Sequence, residues 1–167
     1  MISGNHVRLM ARYNAWQNRN LFDAAATLTD DERRRERGAF FGSIHATLSH
    51  ILWGDQMWLH RLAGMARPTG NGIPDSVRQW PQWQNLREER SRFDEAIITW
   101  SRTLDTPALE GDLLWYSAAA QREFRKPRWL LVTHMFNHQT HHRGQVHSLL
   151  TQAGAKPGDT DLALMPD

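Results

Sequence analysis

The 167-residue chain contains no cysteine. That absence removes thiol nucleophiles, iron-sulfur clusters and cysteine-type zinc sites, and leaves His, Asp and Glu as the side chains able to hold a metal. Lysine is nearly missing too: the basic residues are 18 Arg and 2 Lys against 18 acids, for a net charge of +2. So small a margin argues against a broad cationic surface. The densest basic cluster, Arg33, Arg34, Arg35 and Arg37, alternates with Asp30, Asp31, Glu32 and Glu36, so it reads as a solvated helix face rather than a phosphate-binding patch. No apolar run approaches the roughly 18 residues of a membrane span, and no basic-then-apolar stretch precedes Asn5. The expectation is a cytosolic protein without membrane or nucleic-acid partners. With 40% apolar residues at this length, a single domain over residues 1–167 can bury one sizeable core without disulfide staples.

Two residue types are over-represented instead. There are nine His, five of them between His134 and His147, and eight Trp. Their setting is helical. Leu9, Tyr13, Trp16, Leu21 and Ala24 recur at helical spacing along a first segment from Val7 to Leu28. Thr29-Asp30-Asp31-Glu32 has the form of a capping box that opens a short helical turn ended by Gly38. A second helix is expected over Ser43 to Ala63 with Gly64 as its left-handed stop. Residues 64–78, rich in Gly and Pro, read as one long loop; no strand precedes Gly70-Asn71-Gly72 and no Lys follows, so it is not a nucleotide loop. A third helix begins with Pro81 in its first turn and runs to Leu104 through Trp83, Leu86, Arg90, Phe93, Ile97 and Trp100. Leu113–Ser117 and Gln121–Arg125 can pair as a small hairpin around Ala118-Ala119-Ala120, although those alanines suit a helix equally. Pro127 opens a fourth long helix that ends at Gly154. Four long amphipathic helices argue for an all-α fold, a four-helix bundle, with the long connection between the second and third acting as a crossover.

Each residue of a helix advances about 100°, so His134, His138 and His142 drift slowly around one face, and His141 lies on the other side of His138. Leu131, Gln145 and Leu149 share that face, which therefore points into the bundle. Several buried imidazoles need partners. A divalent ion, which takes neutral imidazole nitrogen at about 2.0 to 2.1 Å, supplies one, and core histidines bonded to ordinary acceptors are the alternative. A further ligand must come from another helix; His50, in the most apolar part of the second helix with Gly54, Met57 and Trp58 on its own face, is the best candidate. His6, His45, His60 and His147 read as ordinary histidines. Trp53, Trp58, Trp83, Trp100 and Trp129 read as core or dimer surface.

Asn137-His138-Gln139-Thr140-His141-His142-Arg143-Gly144-Gln145, preceded by His134 and followed by Leu149-Leu150 and Gly154, resembles the signature of the DinB family within the DinB/YfiT-like metalloproteins. The resemblance extends to Tyr13-Asn14-Ala15-Trp16-Gln17-Asn18 in the first helix and, in the second, to His50-Ile51, Asp55, Trp58 and Arg61-Leu62-Ala63-Gly64; residues 65 to 125 match less specifically. It implies an up-down-down-up four-helix bundle holding a divalent ion, nickel or zinc, on His50, His138 and His142, with His134 and His141 flanking the site. Three protein ligands leave a position for water or substrate. The implied activity is a metal-dependent hydrolase or a transferase using a low-molecular-weight thiol, in a cytosolic homodimer; the alternative is a non-catalytic metal-binding stress-response or adaptor protein. Any damage-inducible character would be one of expression. Asp55 and Arg143, each beside the ligand motif of its helix, are expected to bridge the second and fourth helices.

Overall fold

Ser3 starts the first helix by accepting the His6 amide on its hydroxyl, and α1 then runs Gly4–Ala26. The structure, a computed structural model, describes residues 2–117 and 120–167. Thr29 caps a one-turn α2, Asp30–Arg34, by accepting from the Glu32 amide. This is half of the expected capping box, because the Glu32 carboxylate turns outward to Arg35 and Arg37. Ser43 caps α3, Ile44–Ala63, which stops on Gly64 in the left-handed region at φ 69°. The connection that follows is not a continuous loop: a single turn, α4, Ile73–Ser76, forms inside it and buries Ser76. Next comes α5, Trp83–Thr103, so Pro81 lies before the helix rather than in its first turn. After a 3-10 turn at Pro107–Leu109, strands β1, Asp112–Ser117, and β2, Arg122–Pro127, form an antiparallel pair. The last long helix, α6, runs Arg128–Gln152, and Leu162–Leu164 makes a final 3-10 turn.

The two strands correct the all-α expectation to a mainly helical chain with a small two-stranded sheet. Burial alternates along β1, which places Leu113 and Trp115 on the packed face and leaves Leu114 and Tyr116 outside. That period of two is the mark of a strand with one packed face. Of Ala118-Ala119-Ala120, the first two lie outside the described residues. Trp115 pairs with Phe124 across the strands, their rings stacked at 5.2 Å.

Helix α1 packs on α5 and α6, and α3 packs on α6 and α5, so each long helix has two long neighbours. Between them lie fully buried Leu21, Leu48, Leu52, Leu59, Leu86, Ile97, Met135 and Leu150. A polar layer crosses this core. Arg90 on α5 donates to Asp55 on α3 at 2.6 Å and pairs with Asp94 at 2.8 Å; Asn18 on α1 donates to Asp94 at 2.8 Å. Arg143 on α6 donates to Asn14 on α1 and, at 3.2 Å, to the Thr140 hydroxyl. The expected Asp55–Arg143 bridge is therefore replaced: Asp55 ion-pairs with Arg90, and Arg143 is held by neutral oxygens. The Arg33 cluster also differs from expectation. Arg34 and Arg35 lie at the surface beside Asp30 and Glu32, but Arg33 is buried, donating to the Ala25 and Leu28 carbonyls with its guanidinium 4.5 Å over Trp83. Among the described residues no helix is long and apolar enough to cross a membrane.

Candidate metal centre

His50 projects from the middle of α3, and His138 and His142 project one turn apart from α6, the helix against which α3 packs. Their candidate ligand atoms lie within 4.8 Å of one another; among the described residues this is the one cluster of its kind. The rings of His50 and His138 meet with their Nε2 atoms 3.2 Å apart, and His142 lies edge-on to both, with ring centroids at 4.8 and 4.5 Å.

Neighbouring oxygens decide which nitrogen of two rings carries the proton. Ser76 on α4 gives its single hydroxyl proton to the Ile73 carbonyl at 2.6 Å, so the His50 contact at 2.8 Å requires Nδ1–H of His50 to donate to Oγ of Ser76. The Nε2 lone pair of His50 is then free toward the other rings. His142 repeats the pattern, with Nδ1–H donating to Oε1 of Gln145 at 2.8 Å. Orientation of two imidazoles through Nδ1–H is how proteins prepare Nε2 for a metal. The third ring is placed by space rather than by a hydrogen bond. Gly54 lies beside it, and a Cβ there would come within 2.9 Å of Cε1 of His138. The Nδ1 atom of His138 is buried without a protein partner.

Burial keeps these rings neutral. Desolvation, reinforced by the neighbouring imidazoles, pushes His50 down to about 3 and His138 down to about 4, and lowers His142 as well. Neutral nitrogen is the form that ligates. Three neutral imidazoles with two lone pairs already aimed inward fit a divalent transition-metal ion, and they would not suit calcium or magnesium, which take oxygen. The ring of Phe41, from the segment before α3, covers His50 and His142 at 4.0 and 5.3 Å. On the other side the centre is more open: His138 is half-buried and His134 is exposed, its ring against Trp58 at 4.9 Å and 6.1 Å from His138.

The remaining histidines fall outside the cluster. His141 is exposed, packs edge-on against His142 with ring centroids at 4.9 Å, and approaches the Gln145 amide at 3.4 Å, so it flanks the cluster. His45 contacts the Trp80 carbonyl at 2.7 Å and His60 the Met65 carbonyl at 2.8 Å; His147 is 3.4 Å from the Gly158 carbonyl. Sequence reasoning did not find Ser76, Phe41 or Arg90. Arg90 had a signal, as a lone charge on the apolar stripe of its helix. Ser76 had none, because its role depends on a turn within a Gly- and Pro-rich segment.

A mainly helical protein with a buried three-histidine cluster between two long helices is thus the class that fold and site define. The DinB family model matches residues 1–167, and the chain belongs to the DinB family. Protein DinB of Bacillus subtilis is 23% identical over 152 residues, covering 91% of this chain and 88% of that protein. A crystal structure of a DinB-like protein from Bacillus cereus superposes with a TM-score of 0.61 at 18% identity, covering 86% of this chain and 89% of the other, which is a likeness of fold.

Proposed function

We propose that this DinB-family protein is a divalent-metal-dependent enzyme, a hydrolase or a small-thiol-dependent transferase, that holds nickel or zinc on His50, His138 and His142. The observation carrying the reading is the convergence of three imidazole ligand atoms within 4.8 Å, two of them in the tautomer that leaves Nε2 free. Structural zinc sites are closed by four protein ligands, whereas three protein ligands leave a position for water or substrate. A bound ion there supplies Lewis acidity and activates a water or thiol. The chain's own part is to keep the imidazoles neutral, fix their orientation through Ser76 and Gln145, and exclude water on the Phe41 side. With no cysteine in the chain, a thiol cosubstrate would arrive from solution.

The same reading takes α1, α3, α5 and α6 as a single-domain four-helix bundle of up-down-down-up topology. Such a topology needs a crossover between its second and third helices, and residues 64–82 are long enough to provide it. A cytosolic homodimer without nucleic-acid partners completes the proposal.

Elemental analysis tests it directly. The purified protein is expected to carry close to one divalent ion per chain, and His50→Ala and His138→Ala are each expected to lose it while remaining helical. Full occupancy in both variants refutes the ligand assignment. Chelation separates the roles: a catalytic ion leaves the fold standing while turnover stops, whereas loss of a structural ion lowers Tm by many degrees.

A further inference from the structure

We infer that the substrate of this centre is elongated and carries an oxyanion, a carboxylate or phosphate, at the end remote from the metal, where Arg61 receives it. The inference rests on the metal reading above. His50 and His142 lie behind Phe41, whereas His138 is half-buried and His134 exposed, so we take the His134 side as the approach to the cluster. Aromatic rings lie on that side: Trp58 against His134 at 4.9 Å, Trp115 against Trp58 at 6.0 Å, and Phe124 stacked on Trp115. Half-buried Arg61 lies on this wall, its guanidinium 4.8 Å above the Trp58 ring and 6.0 Å from Trp115.

A guanidinium resting on a ring uses its face and keeps its in-plane N–H fork for an acceptor. No carboxylate of the described residues is ion-paired with Arg61. Burial lowers its pKa, and the charge that adds to this is another cation, Arg67. The buried Arg90 has two carboxylate partners by contrast. A positive, partly desolvated fork beside the open flank of a metal cluster fits an incoming oxyanion better than any group the chain supplies.

The spacing adds a length. Arg61 lies three turns beyond His50 on the same face of α3, roughly 16 Å along the axis, and its stem leans back over Trp58, which is roughly 12 Å from His50 along that axis. Allowing for the reach of the imidazoles, the metal-bound atom and the oxyanion are roughly 10 Å apart.

Thiols of fixed length test this with the cobalt(II)-loaded full-length protein, read by the sulfur-to-cobalt charge-transfer absorption; each thiol binds as thiolate and its proton passes to buffer. 8-Mercaptooctanoate and 6-mercaptohexyl phosphate present an oxyanion at the required distance, 8-mercaptooctanol is the neutral control of similar length, and 3-mercaptopropionate is too short. One or both long anionic thiols are expected to bind the wild type about tenfold more tightly than the alcohol. Which of them does so separates carboxylate from phosphate. Arg61→Gln is expected to remove that advantage without changing the Kd of the alcohol or the short acid, and Arg61→Lys to keep part of it. Equal binding of alcohol and long anions by the wild type overturns the inference. So does an equal loss for all thiols in Arg61→Gln, which would assign Arg61 to wall packing. Absence of the band with every thiol, the neutral one included, refutes the open metal position itself and this inference with it.

Discussion

Gly54→Ala separates the fold from the site because the two respond with opposite sign. Gly54 sits one turn after His50 in the interior of α3, where Ala is favoured over Gly by about 1 kcal/mol. For a chain of this size that is a gain of about 2–4 °C in Tm. The added Cβ, however, would lie 2.9 Å from Cε1 and 3.4 Å from Nδ1 of His138. Carbon atoms pack at about 3.5–4.0 Å, so the ring must retreat by roughly 0.6–1 Å. The backbone of α6 need not move, because a side-chain rotation suffices. Metal ligands tolerate about 0.2 Å, so this retreat is expected to weaken zinc binding by about 10–100-fold, the scale seen when supporting contacts of a metal ligand are lost. Competition with a chromophoric chelator measures the affinity, and thermal unfolding in EDTA measures the metal-free fold. Metal-free Tm should hold or rise while affinity falls. An unchanged zinc affinity refutes the placement of His138, and a large drop in metal-free Tm refutes the argument that Gly54 serves the site.

Three further outcomes are expected. Ser76→Ala removes the acceptor that fixes the His50 tautomer, and should weaken metal binding about tenfold while costing about 1 kcal/mol of stability; full affinity in a chelator competition would show that the tautomer is set otherwise. Arg90→Met leaves Asp55 and Asp94 as buried anions without their cation, and should cost about 3–5 kcal/mol, a fall of roughly 6–20 °C in Tm; a loss below about 1 kcal/mol contradicts the ion-pair geometry. Finally, metal-free stability should fall on acidification. His50 and His138 stay neutral in the fold down to about 3 and about 4, while the unfolded chain takes up these protons near about 6.5. The unfolded state therefore binds more protons below that pH, and each group removes up to about 1.4 kcal/mol per pH unit. His45 and His142, also lowered by burial, act in the same direction, whereas Asp94, raised to about 6 by burial, and Asp55, raised likewise by burial, take their protons first in the fold and offset part of the loss. A flat Tm between about pH 7 and 5.5 in EDTA would refute the burial of the imidazoles.

What the sequence made legible follows from how locally each feature is encoded. Helix ends were readable because Ser43 and Gly64 act on their own backbone neighbours, and α3 starts and stops beside them. Spacing made legible that His134, His138, His141 and His142 share one helix face and that His50 lies where α3 is apolar, whereas the choice of His138 and His142 among them came from the family resemblance; their ligand atoms and that of His50 lie within 4.8 Å of one another. Partner choice was not local. Asp55 finds Arg90 rather than Arg143, and nothing in the spacing along α3 or α6 distinguishes the two arginines. Arg33 likewise turns inward because Trp83, fifty residues away, offers its ring. The hairpin lay between two readings, since its alanines favour helix while Leu113, Trp115 and Phe124 favour a packed strand face. Contact with Trp58 supports the latter.

The polar layer and the histidine cluster share their helices in a way that explains why both lie in one core. On α6, Gln139 and Arg143 follow His138 and His142 by one residue, about 100° around the helix. The histidines therefore face α3 while Arg143 reaches Asn14 on α1. The same division appears on α3, where Gly54 faces His138 and the next residue, Asp55, meets Arg90 on α5. A purely apolar core tolerates small rotations of a helix about its axis, because hydrophobic contact is non-directional. Directional partners do not: a rotation that parts Asp55 from Arg90, or Arg143 from Asn14, strands buried polar groups. Buried ion pairs add little net stability over a well-packed apolar core. Their effect in this chain is to exclude helix rotations in which the three imidazoles would miss one another. It follows that α6 needs no continuous apolar stripe: its two polar faces are both specified, one by the histidine cluster and the other by the arginine contacts.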